Sequence, residues 1–119
     1  MAREPLSQNL QDHCRSLPAV TEDIKWGNNL VFSVGDKMFA IFDTEQGEAL
    51  SFKVDEEAFD MLTNQSGMRP APYLARHLWV TADRPDALPL EFLQELLEES
   101  HLLVAAKLPR SKRAKLGLD

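Results

Sequence analysis

Between Met68 and Ala82 the chain places two guanidiniums, an imidazole and two large aromatic rings, on Arg69, Tyr73, Arg76, His77 and Trp79. Held on a rigid scaffold, side chains of these types recognise a polyanion. Cations meet phosphate oxygens, and flat rings at Tyr73, Trp79 or Trp26 stack on exposed bases for ~1–3 kcal/mol each. Arg84 and the hairpin-tip Lys37 extend the set, and the tip Gly35-Asp36-Lys37 has the form of a wing that lies in a groove. The plainer alternative is a single amphipathic strand whose Leu78 and Val80 face the core.

Constellations for covalent or metal chemistry are missing from the sequence. It has no Gly-rich phosphate loop, no His-Glu-x-x-His, no Cys-x-x-Cys and no nucleophile elbow. His13, His77 and His101 fall on three different expected elements, which argues against a metal site. His101 sits on an apolar stripe, where a hydrogen-bonded core histidine is the ordinary outcome. Glu22 with Asp23, or the glutamates near the C-terminus, are carboxylates on polar faces and read as solvated. No cofactor and no catalysis are expected.

The elements that must position the cations follow from periodicity. Leu6, Leu10, Cys14 and Leu17 recur at helical spacing, which predicts a helix from Pro5 to Leu17 ended by Pro18. Leu30 to Val34 and Lys37 to Phe42 are β-rich and joined by Gly35-Asp36, a two-residue hairpin signal. A turn over Thr44 to Glu48 leads to a strand over Ala49 to Val54. Ile24 to Trp26 is a weak first strand, with Gly27-Asn28-Asn29 as its turn.

Asp55 is the expected N-cap of a short helix to Gln65, with Val54 and Phe59 as a hydrophobic staple. Gly67, Pro70 and Pro72 restrict Met68 to Pro72 to loop or edge strand. A strand is expected over His77 to Ala82. A long helix then begins at Leu88-Pro89, with Leu90, Leu93, Leu97, His101, Val104 and Leu108 as its apolar stripe. Glu91, Glu95 and Glu99 repel at i,i+4 spacing by ~0.2–0.5 kcal/mol per pair, so tertiary packing must hold it. Pro109 ends or kinks that helix, and Arg110 to Leu116 adds a basic turn stopped by Gly117.

Length and composition bound the possibilities. A chain of 119 residues, 44% hydrophobic and 27% charged, suits one domain over residues 1–119. No apolar run approaches a membrane span, and the first residues lack the apolar core of a signal peptide, so a cytoplasmic protein is expected. Cys14 is the lone cysteine and reads as a buried small hydrophobe. The net charge of −6 is uneven: the last thirteen residues carry Lys107, Arg110, Lys112, Arg113 and Lys115 against Asp119. This basic tail on an acidic body suits phosphate or an acidic partner, or else serves a helix C-terminus and solubility.

Several segments together resemble the MmcQ/YjbR-like family of small bacterial proteins: Cys14-Arg15-Ser16-Leu17-Pro18 with Thr21-Glu22, Val34 to Ala40, Arg69-Pro70, Leu74, Arg76, Trp79 and Thr81, Leu88-Pro89, Glu99-Ser100-His101 and Leu108-Pro109. The resemblance spans about Leu10 to Leu116. It implies an α+β fold in which a hairpin-rich antiparallel meander packs against N- and C-terminal helices, as in secretion-chaperone-like arrangements. It also implies DNA binding through a double wing, with Arg69, Arg76 and Trp79 in the site. This chain departs from the family's Asn-Lys-x-His-Trp, reading Ala75-Arg76-His77-Leu78-Trp79, so in a strand His77 would be displaced by one position and its face changed. The frequent tyrosine of the last helix is His101 here.

The resulting expectation is a non-catalytic binding protein, monomeric or weakly dimeric, that contacts DNA weakly and in a salt-dependent way. The contact residues would be Arg69, Arg76, Trp79, His77, Tyr73, Lys37, Lys107, Arg110, Lys112 and Arg113. The competing expectation is a protein-interaction module, presenting a sheet edge or apolar groove.

Overall fold

The structure, a computed structural model, describes residues 5–44 and 48–118. The expected Thr44 to Glu48 turn therefore falls partly outside the described residues, as do the first four residues. Six strands form one antiparallel sheet: β1 (Val20–Lys25), β2 (Asn29–Val34), β3 (Lys37–Asp43), β4 (Leu50–Lys53), β5 (Met68–Pro70) and β6 (Trp79–Ala82). Their spatial order is β1-β2-β3-β4-β6-β5, so β5 is an edge strand, where Pro70 costs no ladder hydrogen bond in the sheet interior. The helices are α1 (Leu6–Arg15), α2 (Glu56–Leu62), α3 (Leu90–Ala106) and α4 (Arg110–Leu116).

Strand alternation sorts the side chains by face. Leu30, Phe42, Leu50, Ala82 and Met68 form one row across the sheet, and Phe32, Ala40, Phe52 and Val80 the next. Both rows are buried against Leu93, Leu97 and Val104 of α3. The opposite face carries Val31, Ile41, Ser51, Thr81, Lys53 and Trp79, and no helix of the described residues crosses it. At Phe39 the β2–β3 register shifts, so that Ser33 stands opposite Met38 while Phe32 stands opposite Ala40. The extra residue at this bulge drops Phe39 into the core and turns Met38 onto the open face.

Asp55 Oδ1 accepts from Ala58 N at 2.8 Å, the N-cap expected of it. His101 is buried, its Nε2 donating to the Pro18 carbonyl at 2.8 Å and its ring edge-on to Phe39. Ser100, also buried, donates to the Lys53 carbonyl and so ties α3 to the end of β4.

Several expectations need correction; the short helix expected to reach Gln65, for instance, ends at Leu62. α1 stops at Arg15, two residues early, because the Ser16 hydroxyl closes it by donating to His13 O at 2.6 Å; it buries Ser7, Leu10 and Cys14, leaving Leu6 outside. β1 is a full six-residue strand starting at Val20, hidden in the sequence because an exposed edge strand carrying Glu22 and Asp23 shows no apolar alternation. The strand expected from His77 begins at Trp79: Ala75–His77 is a 3₁₀ turn ended by Leu78 in the left-handed region, so Val80 faces the core and Leu78 does not.

The hairpin tip is also not a free wing. Gly35 and Asp36 both have positive φ, the type I′ turn that fits strand twist. Leu108 packs so closely there that a Cβ on Gly35 would lie 2.6 Å from its Cδ1, and Lys112 Nζ reaches Asp36 Oδ2 at 3.2 Å. Gly35→Ala should therefore cost about 2 kcal/mol in denaturant unfolding, part from left-handed strain and part from Leu108. In a Leu108→Ala background only the backbone share, about 1 kcal/mol, should remain. Equal costs in both backgrounds would show that the contact carries no strain.

Candidate functional site

The strand ends at one rim of the sheet, namely the start of β3, the end of β4 and the start of β6, meet the C-terminal end of α3 around a cavity of about 330 Å³. Its lining brings together Lys37, Lys53, His77 and Lys107 over the apolar surface of Trp79, Met38 and Leu108. Among the described residues, no carboxylate is part of that lining. Antiparallel pairing explains the convergence: Lys53 lies opposite Trp79 in the β4–β6 register, and both belong to the open face. His77, in the 3₁₀ turn just before β6, lines the same cavity as Trp79, two residues on.

Lys53 is the most constrained of these cations. Its Nζ donates to the His77 carbonyl at 2.7 Å. Burial, and then the charge of Lys107, hold its pKa below the ordinary lysine value of 10.5. Two like charges kept together beside an apolar floor are relieved when an anion binds between them.

The remaining cations divide into engaged and available groups. Arg69 is drawn to Asp83 at 2.6 Å and Arg84 to Asp86 at 3.4 Å. Lys112 is taken by Asp36. Arg113 Nη1 donates to the Ala106 carbonyl at 3.1 Å, which satisfies the end of α3. Arg76, in the 3₁₀ turn beside His77, and Arg110, next to the cavity-lining Pro109, are exposed and form no ion pair with another of the described residues. The expected stacking ring Trp79 is only 5% exposed and forms a floor instead. Tyr73, by contrast, is 99% exposed and Trp26 66%. Lys53 and Met38 are additions that the Arg-rich segment had obscured. The signal for Lys53 was its place between Phe52 and Val54, where period two turns it to the face opposite the core. Among the described residues no three His, Cys, Asp or Glu side chains converge to hold a metal, and no helix is long and apolar enough to cross a membrane.

This architecture matches a known family. The YjbR family model covers residues 15–103. The chain belongs to the YjbR family. In agreement, the crystal structure of Deinococcus radiodurans protein DR2400, of the domain family DUF419, is similar at 34% identity and a TM-score of 0.84, over 94% of this chain and 88% of that one. A Pseudomonas syringae protein shares the fold at 22% identity and a TM-score of 0.65, over 87% of this chain and 99% of that one. No curated protein matches the chain. The YjbR match stops before Lys107 and Leu108, so one wall of the cationic cavity lies beyond the matched span.

The depressed Lys53 pKa has a testable sign. Between that pKa and 10.5 the unfolded chain binds more protons than the folded one at this position, so the Lys53 contribution to stability rises with pH through that window. In an Nζ NMR titration Lys53 should lose its proton below the other lysines. Lys107→Gln removes the second cause and should move the Lys53 midpoint upward; an unchanged midpoint would mean the two charges do not interact.

Proposed function

We propose that this YjbR-family protein is a cytoplasmic, non-catalytic nucleic-acid-binding protein that holds the phosphate backbone at the cationic cavity. The observation that carries the reading is the convergence of Lys37, Lys53, His77 and Lys107 on one cavity that no carboxylate of the described residues lines, in a chain of net charge −6. Such a grouping is where counterion release favours a polyanion, and Arg76 and Arg110 flank it. The reading shifts the phosphate contacts from Arg69, Lys112 and Arg113, which have protein partners, to the lysines around Trp79.

Affinity follows salt through the number of phosphate contacts, each contributing about 0.7–0.9 to the slope of log K against log salt. In anisotropy titrations with labelled DNA, Lys37→Ala and Lys107→Ala should each weaken binding several-fold at low salt and reduce the slope by about that amount. Arg69→Ala and Arg84→Ala, whose cations are already paired, should change both quantities little. Loss of binding only in the two arginine variants would place the contact elsewhere, and no binding at low salt by the unaltered protein would refute the reading.

A further inference from the structure

The cationic cavity opens beside a second one. A groove of about 580 Å³ runs over the open sheet face, sharing Met38 and Leu74 with the first cavity and extending along Ile41 toward Trp26 and Tyr73. Among the described residues, no ionisable group other than the Tyr73 phenol lines it. The two compartments thus meet at a common wall, one carrying positive charge and the other uncharged and rimmed by aromatic rings.

The aromatic rim is held at a cost. Trp26 has φ 50° and Tyr73 φ 65°, the left-handed region that bulky residues avoid. Each stands in a loop, one between β1 and β2 and the other after β5, and each is largely exposed. Two unrelated loops therefore adopt the same unfavourable backbone conformation and present large rings to the same groove. Glycine or asparagine would serve either turn with less strain, and Gly27 and Asn28 follow Trp26 directly. Packing within the chain does not account for the rings, because their faces are solvent-exposed.

Resting on the nucleic-acid reading of the cationic cavity, we infer that the ligand is single-stranded, with unpaired bases lying against Tyr73 and Trp26 in the uncharged groove while the adjoining phosphates sit among Lys37, Lys53 and Lys107. The arrangement requires a ligand whose anionic group and flat neutral ring are covalent neighbours, repeated along a chain. A single strand offers that pairing. A duplex presents the phosphates but keeps its base faces stacked on one another, out of reach of the rings. An inorganic polyphosphate presents charge without rings. The bulge at Phe39 gives the groove its continuity, because it places Met38 on the same face as Ile41.

The test compares three probes on the full chain: a labelled oligothymidylate, a duplex of mixed sequence and equal length, and polyphosphate, each at two salt concentrations. The single strand should bind at least about tenfold more tightly than the duplex. Tyr73→Ala and Trp26→Ala should each reduce single-strand affinity by about 5- to 150-fold while leaving duplex and polyphosphate binding unchanged. Tyr73→Phe should retain single-strand binding, and thermal melting should establish that all variants are folded. The fluorescence of Trp26 should be quenched by the single strand and not by polyphosphate. Equal, lysine-dependent binding of single strand and duplex, indifferent to Tyr73→Ala and Trp26→Ala, would overturn the inference and leave the phosphate site standing. Failure of every probe would overturn both. An acidic peptide that competes at the rings where no nucleic acid binds would assign the groove to a protein partner.

Discussion

Packing of α3 across a single face of the sheet determines where the other features of the molecule lie. Phe32, Phe42 and Phe52 are fully buried beneath it, each contributing about 1.5–3 kcal/mol by removal from water. The Ser100 hydroxyl, bonded to the Lys53 carbonyl, sets the helix against the end of β4. Because the core is completed on that side, the reverse face has little part in it. Val31 and Thr81 there are buried, yet the surface between β3 and the 71–74 segment stays open as a groove. The buried core and the open groove thus occupy opposite sides of the same strands, by an alternation that any antiparallel sheet with one covered face possesses.

Charge is divided in a similar way. The arginines with the best opportunity to meet carboxylates do so: Arg15 with Asp12 and Glu22, Arg69 with Asp83, Arg84 with Asp86. A planar guanidinium matches a carboxylate geometrically, whereas a lysine ammonium is a compact point charge on a flexible stem, suited to meeting phosphate without fixed partners. Among the described residues, Glu22 and Asp23 of β1, Asp55, Glu56, Glu57 and Asp60 at α2, and Glu91, Glu95, Glu98 and Glu99 of α3 carry much of the negative charge, and none of them lines either compartment of the groove. At physiological ionic strength screening acts over roughly 8 Å, so a charge farther than that from the cavity weighs less there than its own lysines.

The parts of the fold legible in the sequence were those with local causes. Gly35-Asp36 specified its hairpin, Asp55 its cap, and the Leu93, Leu97, His101 and Val104 spacing its docking helix. β1 was half hidden because edge strands avoid the alternation that reveals central ones. Nothing within Ala75 to Trp79 announces that Leu78 takes a left-handed conformation, and that one residue decides where β6 begins. For the site, residue types were informative and partners were not. The ion pair of Arg69 with Asp83 and the engagement of Lys112 by Asp36 depend on tertiary neighbours that periodicity does not supply. Met38 was unreadable for a related reason, since a bulge inverts the parity on which strand faces are assigned.

The seat of Leu108 against Gly35 also bears on the order in which the molecule assembles. The β2–β3 hairpin joins near neighbours along the chain, while Leu108 must return across some seventy residues to reach its tip, and long closures form late because their entropy is spent before any contact rewards it. That same returning segment supplies Val104, Lys107 and Pro109 to the cationic cavity. It follows that a partly folded chain can possess a formed hairpin and yet have no complete cavity, so that the cavity is a property of the finished tertiary structure alone.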